Sequence, residues 1–254
     1  LKNYNFIIGP VDTDSVSFCK ADQSPFSEEE LKSLLKELND ISPEFMVWED
    51  DGYYEACLSI KAKNYVLKTK NGEKKYKGSA FKDQKKEPAL KELMFEIVDC
   101  MLDGTSSLTE VYHRYIQEAM NIEDISRWAI KKSITKKLLT GTRKNETKVM
   151  DAIDGDSVQE GDKVYLYWNI EGEVQDVAKG EPVFYKDGRP KMIPNRILKK
   201  IDEFDGNYDH LHYVKRVYDT VSILKTVFDM EEIPKYHSSK SAHLLEQFKG
   251  ESNV

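Results

Sequence analysis

The sequence predicts an α+β fold: a strand-rich first third with one helix, followed by a mainly helical remainder. Three observations predict it. Residues 1–90 concentrate β-branched and aromatic runs between tight-turn signals and hold one amphipathic stretch of helical period. From Pro88 onward, apolar residues recur at three- and four-residue spacing through several stretches. The chain of 254 residues is 39% hydrophobic and 33% charged, which is enough to bury a core in one or two domains. We divide it into residues 1–90, residues 91–235 and a loose polar tail, 236–254.

In order, residues 4–19 read as a strand, a turn at Asp12-Thr13-Asp14 and a returning strand. Ser27-Glu28-Glu29-Glu30 is a capping box. It opens a helix to about Asn39 with Leu31, Leu34, Leu35 and Leu38 on one face. Residues 45–70 are rich in Val, Tyr, Trp and Ile and predict strands with a turn near Asp51-Gly52. Asn71-Gly72 joins YVLKTK to EKKYKG as a hairpin. Pro88 fits the first turn of a helix that Asp103-Gly104 ends. A second helix covers about 106–120, with Leu108, Val111, Tyr112, Tyr115 and Ile116 inside. Residues 128–139 fit strand or helix, about 146–153 a short helix, and 162–168 a strand. Residues 171–190 read as loop, and a long amphipathic helix spans about 208–228.

No stretch approaches the roughly 20 apolar residues of a membrane span. Mean hydropathy is −0.62. The opening LKNYNFIIG lacks an initiator Met and reads as a cut from a longer protein. Cys19, Cys57 and Cys100 form no CxxC pair, so a zinc site is not expected; reduced thiols are. The net charge is −7, but the charges are segregated. Residues 61–91 hold eleven Lys against three acidic groups, and 127–148 hold eight Lys/Arg against Glu146. Residues 22–55 hold eleven acidic groups against Lys32 and Lys36. A basic face of this kind steers polyanions at short range.

Asp12 and Asp14 are one residue apart at a turn between apolar runs. Paired hard oxygens there suit Mg²⁺, which also takes water and substrate phosphates. As turn formers, the same aspartates can simply cap backbone. Three readings compete: a nucleotide-sugar glycosyltransferase with a DxD metal site, a nucleotidyl-transfer enzyme with two-metal chemistry, and a non-catalytic module. The downstream stretch SIKAKNYVLKTKNGEKKYKGSAFK favours a polymer-binding protein. In a continuous strand Lys61, Lys63 and Tyr65 share one face and make a platform for a sugar-phosphate backbone. Lys74, Lys75 and Lys77 add charge, and Gly78 permits a close backbone approach.

Asp12-Thr13-Asp14-Ser15, followed by Lys63-Asn64-Tyr65 and then Lys75-Tyr76-Lys77-Gly78, resembles the family B DNA polymerases. There an Asp-Thr-Asp-Ser hairpin is a palm motif, and a lysine–x–tyrosine strand grips primer-template at the palm–thumb junction. Ser133-Ile134-Thr135-Lys136-Lys137-Leu138 and Gly161-Asp162-Lys163-Val164 resemble thumb segments, and the helix with Tyr213 and Ile223 resembles the last thumb helix. The compact layout is most similar to a phage enzyme, which implies the host cytoplasm. The resemblance implies palm-subdomain hairpins over 1–90 and a thumb over 91–235. It implies catalytic metal ligation by Asp14, supported by Asp12, with two Mg²⁺ ions in the complete enzyme. It implies DNA contacts from Ser15, Lys63, Tyr65, Lys77 and Gly78, beside Lys61 and Lys75 of the lysine stripe. Arg127, Lys131, Lys132, Lys136 and Lys137 would follow phosphates, with Arg143-Lys144 as an extension.

The chain departs from the family pattern in two ways. Pro10-Val11 stands where the family has Tyr-Gly, and proline removes a ladder donor, so strand pairing there should differ. The other palm aspartate motif, the fingers helix and any exonuclease carboxylates are not found. The expectation is a fragment or split subunit, inactive alone, whose partners are primer-template DNA, a dNTP and a polypeptide with the other palm and fingers motifs. Leu244, Leu245 and Phe248 loosely resemble a sliding-clamp peptide. A non-catalytic duplex-binding subunit and a DxD glycosyltransferase are the alternatives. His210 and His212 lack a third ligand and read as surface residues. Trp48, Trp128 and Trp168 read as core.

Overall fold

The computed structural model describes residues 5–82, 86–140, 149, 153, 158–170, 177–178, 181–182 and 196–224. The chain divides into two compact units, Leu1–Lys82 and Asp83–Val254. Both mix helix and antiparallel sheet, so the chain is α+β as expected.

In the first unit β1 (Phe6–Val11) pairs antiparallel with β2 (Val16–Lys20). The register shifts by one residue between Ile8 and Val11. That bulge falls at Gly9-Pro10, where proline withdraws an amide from the ladder. Phe6 stacks on Phe18 at 5.3 Å, and Phe26 meets both rings edge-on. The predicted capping box is formed. Glu30 N donates to Ser27 Oγ (3.2 Å) and Ser27 N donates to Glu30 Oε2 (2.7 Å), opening α1 (Glu28–Asp40). Of its leucine face, Leu34 is buried and the other three are half-buried.

The stretch after α1 corrects the expected strands near 45–54: no strand forms there. A strand needs a ladder partner, and this stretch is held another way. Trp48 N donates to Asn39 Oδ1 (2.7 Å), Asn39 Nδ2 donates to the Trp48 carbonyl (3.1 Å), and the indole N–H donates to Ser42 Oγ (2.9 Å). With Trp48 clasped, Phe45 is left 96% exposed, and Ile41, Met46 and Val47 are exposed too.

A meander of β3 (Ala56–Lys61), β4 (Asn64–Lys68) and β5 (Lys74–Lys77) follows. The Asn71-Gly72 hairpin joins the last two, with Gly72 at φ +82°. Leu58, Ile60 and Val66 are buried, and the one-turn helix α2 (Ser79–Lys82) tucks Phe81 against Tyr76 at 5.2 Å.

The second unit begins with α3 (Pro88–Asp103), which has proline in its first turn and Gly104 as a left-handed cap at φ +64°. Next comes α4 (Leu108–Met120), whose predicted inner residues are all buried. A 3₁₀ turn (Ile125–Trp128) buries Trp128 against Tyr213, ring centroids 5.6 Å apart. The ambiguous 128–139 stretch resolves into both elements: β6 (Ile130–Ser133), then the single turn α5 (Lys136–Leu139), capped by Thr135. Strand β7 (Lys163–Ile170) is the centre of a sheet, between β6 and a strand that the sequence reading missed. Two short strands, β8 (Val177–Ala178) and β9 (Glu181–Pro182), pair with each other, and β10 (Arg196–Lys200) is the missed strand beside β7. Most of the short helix expected at 146–153 lies outside the described residues; Val149 and Ile153 are buried in the core with Ile134, Leu138, Leu166 and Leu198. The last described helix, α6 (His210–Ser222), packs on α3 and α4. Arg216 makes a two-pronged bond to Glu87 (3.0 and 2.6 Å), tying α6 to the start of α3. The tail 236–254 lies outside the described residues. Among the described residues, no helix is long and apolar enough to cross a membrane.

Candidate functional site

The aspartate pair lies at the tip of the β1–β2 hairpin, where Asp12 N donates to the Ser15 carbonyl (2.9 Å) and closes the turn. Asp12 Oδ1 accepts from the next residue's amide, Thr13 N (2.8 Å). It also faces the Lys63 ammonium at 3.2 Å, while Lys63 Nζ donates to Thr13 Oγ1 (3.3 Å). The Thr13 amide and then the Lys63 charge hold the Asp12 carboxyl below its ordinary value. Asp14 and Ser15 are exposed. Among the described residues, the Asp14 carboxylate makes no hydrogen bond or ion pair.

Lys63 reaches the hairpin because it is not in a strand. This corrects the one-face platform of Lys61, Lys63 and Tyr65. Lys63 occupies the β3–β4 turn at φ +60°, and the pairing slips between Ser59 and Lys61. The turn breaks the two-residue alternation. Lys61 and Lys63 remain exposed, while Tyr65 is 6% exposed and cannot offer its ring to a ligand in this arrangement.

Two residues fix that turn. Asn64 is buried; its amide donates to the Ala62 carbonyl (2.9 Å) and accepts from Ala80 N (2.8 Å). Gly78, at φ +102°, approaches so closely that a Cβ would lie 2.3 Å from the Lys63 carbonyl oxygen. The close approach expected of Gly78 is therefore to this chain's own turn. Asn64 and Thr13 were missed in the sequence; a polar residue between Lys63 and Tyr65 was the available signal.

On β5, Lys75 and Lys77 point to one exposed face, across from Leu67 and Tyr65, and Lys74 points to the other. Lys75 donates to Tyr54 Oη (2.5 Å) and lies 5.0 Å from that ring's centroid.

In the second unit, Arg127 is bonded to both Glu92 of α3 and Glu118 of α4. Its guanidinium bridges two helices and is already committed to carboxylates. Lys131 is exposed and faces Tyr165 across the sheet, whereas Lys132 is half-buried on the opposite, core-facing side. Lys136 and Lys137 are exposed on α5. Arg143, Lys144 and the clamp-like Leu244, Leu245 and Phe248 lie outside the described residues. His212 packs on Trp168 at 5.3 Å and His210 on Tyr208 at 5.3 Å, as ring contacts.

Among the described residues no group of three or more His, Cys, Asp or Glu converges. The two hairpin carboxylates differ: Asp14 is open and Asp12 is shared with Lys63. Carboxylate oxygens suit a Mg²⁺ only where water or other oxygen ligands complete its six-fold shell.

The chain's fold is similar to that of the family B DNA polymerase from the hyperthermophilic archaeon Pyrobaculum calidifontis, with a TM-score of 0.58 over 89% of this chain at 18% identity. The likeness is one of fold, to part of that polymerase. The match covers 27% of the archaeal chain. No family model matches the sequence, and no curated protein is similar to it in sequence.

Proposed function

We propose that this chain is the palm-and-thumb portion of a family B DNA polymerase, working with a polypeptide that supplies the other palm aspartate and the fingers. One observation carries the reading. Residues Asp12-Thr13-Asp14-Ser15 and Lys63-Asn64-Tyr65, about fifty positions apart, come together in one unit with Lys63 on Asp12 and Thr13. A cation-capturing carboxylate and a lysine next to it are what a primer terminus and its phosphates require.

In this reading Asp14 is the principal metal ligand, and Asp12 supports it while positioning Lys63. Magnesium held there supplies Lewis-acid activation of the primer hydroxyl and charge neutralisation on the triphosphate. Lys63 neutralises the backbone near the primer end. Lys61, Lys75 and Lys77 on the first unit, and Lys131, Lys136 and Lys137 on the second, hold phosphates. Asn64 and Gly78 act by fixing the turn that carries Lys63.

The test is primer extension by a mixture of this chain with the polypeptide carrying the missing motifs. Asp14→Ala should abolish extension and leave duplex binding within about two-fold, since a carboxylate adds nothing to phosphate contact. Undiminished extension by Asp14→Ala would remove the assigned role. A second reading, a duplex-binding subunit without chemistry, draws on the sharing of Asp12 with Lys63. It requires duplex binding with no extension in any such mixture.

A further inference from the structure

One face of the β6–β7–β10 sheet is closed at one end and open at the other. Its inner face packs on the core through Leu166 and Leu198. On its outer face, Phe204 covers Tyr167 edge-on at 5.4 Å. Toward β6 that cover stops. There Lys131 lies opposite Tyr165 and Ser133 opposite Lys163, and residues 163 and 165 share the outer face. Tyr165 is 44% exposed, with the Lys131 ammonium 5.8 Å from its ring centroid. Asp162, the neighbouring acid, turns its carboxylate to the Gln159 amide at 2.8 Å. The open patch is therefore an aromatic ring with Lys131 opposite it and Lys163 two residues before it on the same face.

We infer that Tyr165 is a stacking platform for a base of single-stranded nucleic acid, with Lys131 and Lys163 on the flanking phosphates. An exposed ring on an antiparallel sheet offers a π-face to any unstacked base, and the lysines beside it match the backbone charge. In a duplex each base is already stacked on its neighbours, so the ring has nothing to gain there. Single-strand preference distinguishes the Tyr165 ring from the phosphate contacts proposed above, of which Lys131 is one, and it does not depend on Asp14.

The experiment is fluorescence anisotropy of the full chain with labelled oligo-dT of about 12 nucleotides, with oligo-rU and a duplex in parallel. Tyr165→Ala should weaken oligo-dT or oligo-rU binding by about 5- to 150-fold, the range of one lost base–ring stack. It should leave duplex binding unchanged. Tyr165→Phe should bind like the parent, because the ring rather than the hydroxyl does the stacking. Lys131→Ala should weaken single-strand binding and lower its log–log salt slope by about 0.7. Equal single-strand binding by Tyr165→Ala and the parent overturns the inference. So does a Tyr165→Phe loss as large as that of Tyr165→Ala, or no single-strand binding by the parent. Since the ring lies on the open face, circular dichroism and thermal melting of the Ala and Phe variants should match the parent. The Lys131→Ala arm reads the same patch without touching the ring.

Discussion

Gly78 and Lys63 meet backbone to backbone: a methyl group added at Gly78 would stand 2.3 Å from the Lys63 carbonyl oxygen and 2.4 Å from Asn64 Oδ1. Gly78 also holds φ +102°, which side chains strongly disfavour. Gly78→Ala should therefore destabilise the first unit by at least about 2 kcal/mol, combining backbone strain with overpacking. Urea unfolding measures the loss. Because the clash falls on the turn carrying Lys63, the variant should also lose the Lys63–Asp12 contact. Unchanged stability would mean the turn moves freely, against the packing described.

Removing the Lys63 charge should raise the Asp12 carboxyl toward its ordinary value. The return is partial, because the Thr13 amide, the larger influence, stays in place. Carbon-detected NMR titration of the Asp12 carboxyl in Lys63→Ala reads this directly. The sign for stability follows: a carboxyl lowered in the folded state contributes stability above its unfolded value, lost as pH falls through the folded one. The parent should lose more stability than Lys63→Ala in that acidic window.

Duplex binding should weaken steeply with added salt. Each phosphate neutralised contributes about −0.9 to the log–log slope on B-DNA. Lys75→Ala with Lys77→Ala should make the slope shallower by about 1 to 2. A slope identical to the parent's would take both residues off the phosphate track.

Arg216→Ala should destabilise the second unit by about 2–4 kcal/mol, because it strands a carboxylate with no partner. Glu87 is 1% exposed and accepts both Arg216 bonds. Thermal melting checks it, and Glu87→Gln should cost less, since a neutral amide is cheaper to bury.

Local chemistry was legible wherever one segment sufficed. Ser27 with Glu30, Asn71-Gly72, and Pro88 with Gly104 each carry their turn or cap within a few residues, and all form as read. The bulge at Pro10 follows from a missing amide in the same way. What was not legible depended on distant partners. Strand propensity at 45–54 measures fit to a pleated neighbour, and there Asn39 and Ser42 engage Trp48 instead. Lys63 left the expected alternation because Asn64 and Gly78 shape a turn around it. The pairing of Arg127 with Glu92 and Glu118 was not legible either, since the carboxylates come from two other helices. The contact of Lys63 with Asp12 was not read from the sequence, since no local rule places a turn beside a hairpin fifty residues away.

The clasp around Trp48 has a practical corollary. By anchoring the indole, it props Phe45 and its apolar neighbours outward like a greasy knuckle, in a stretch whose charged residues are all negative. Purified alone, the chain should stick to itself and to plastic more as salt rises, because ions mute the repulsion that keeps copies apart. Phe45→Ser should yield clearer, more concentrated solutions, and light scattering across a salt series would show it.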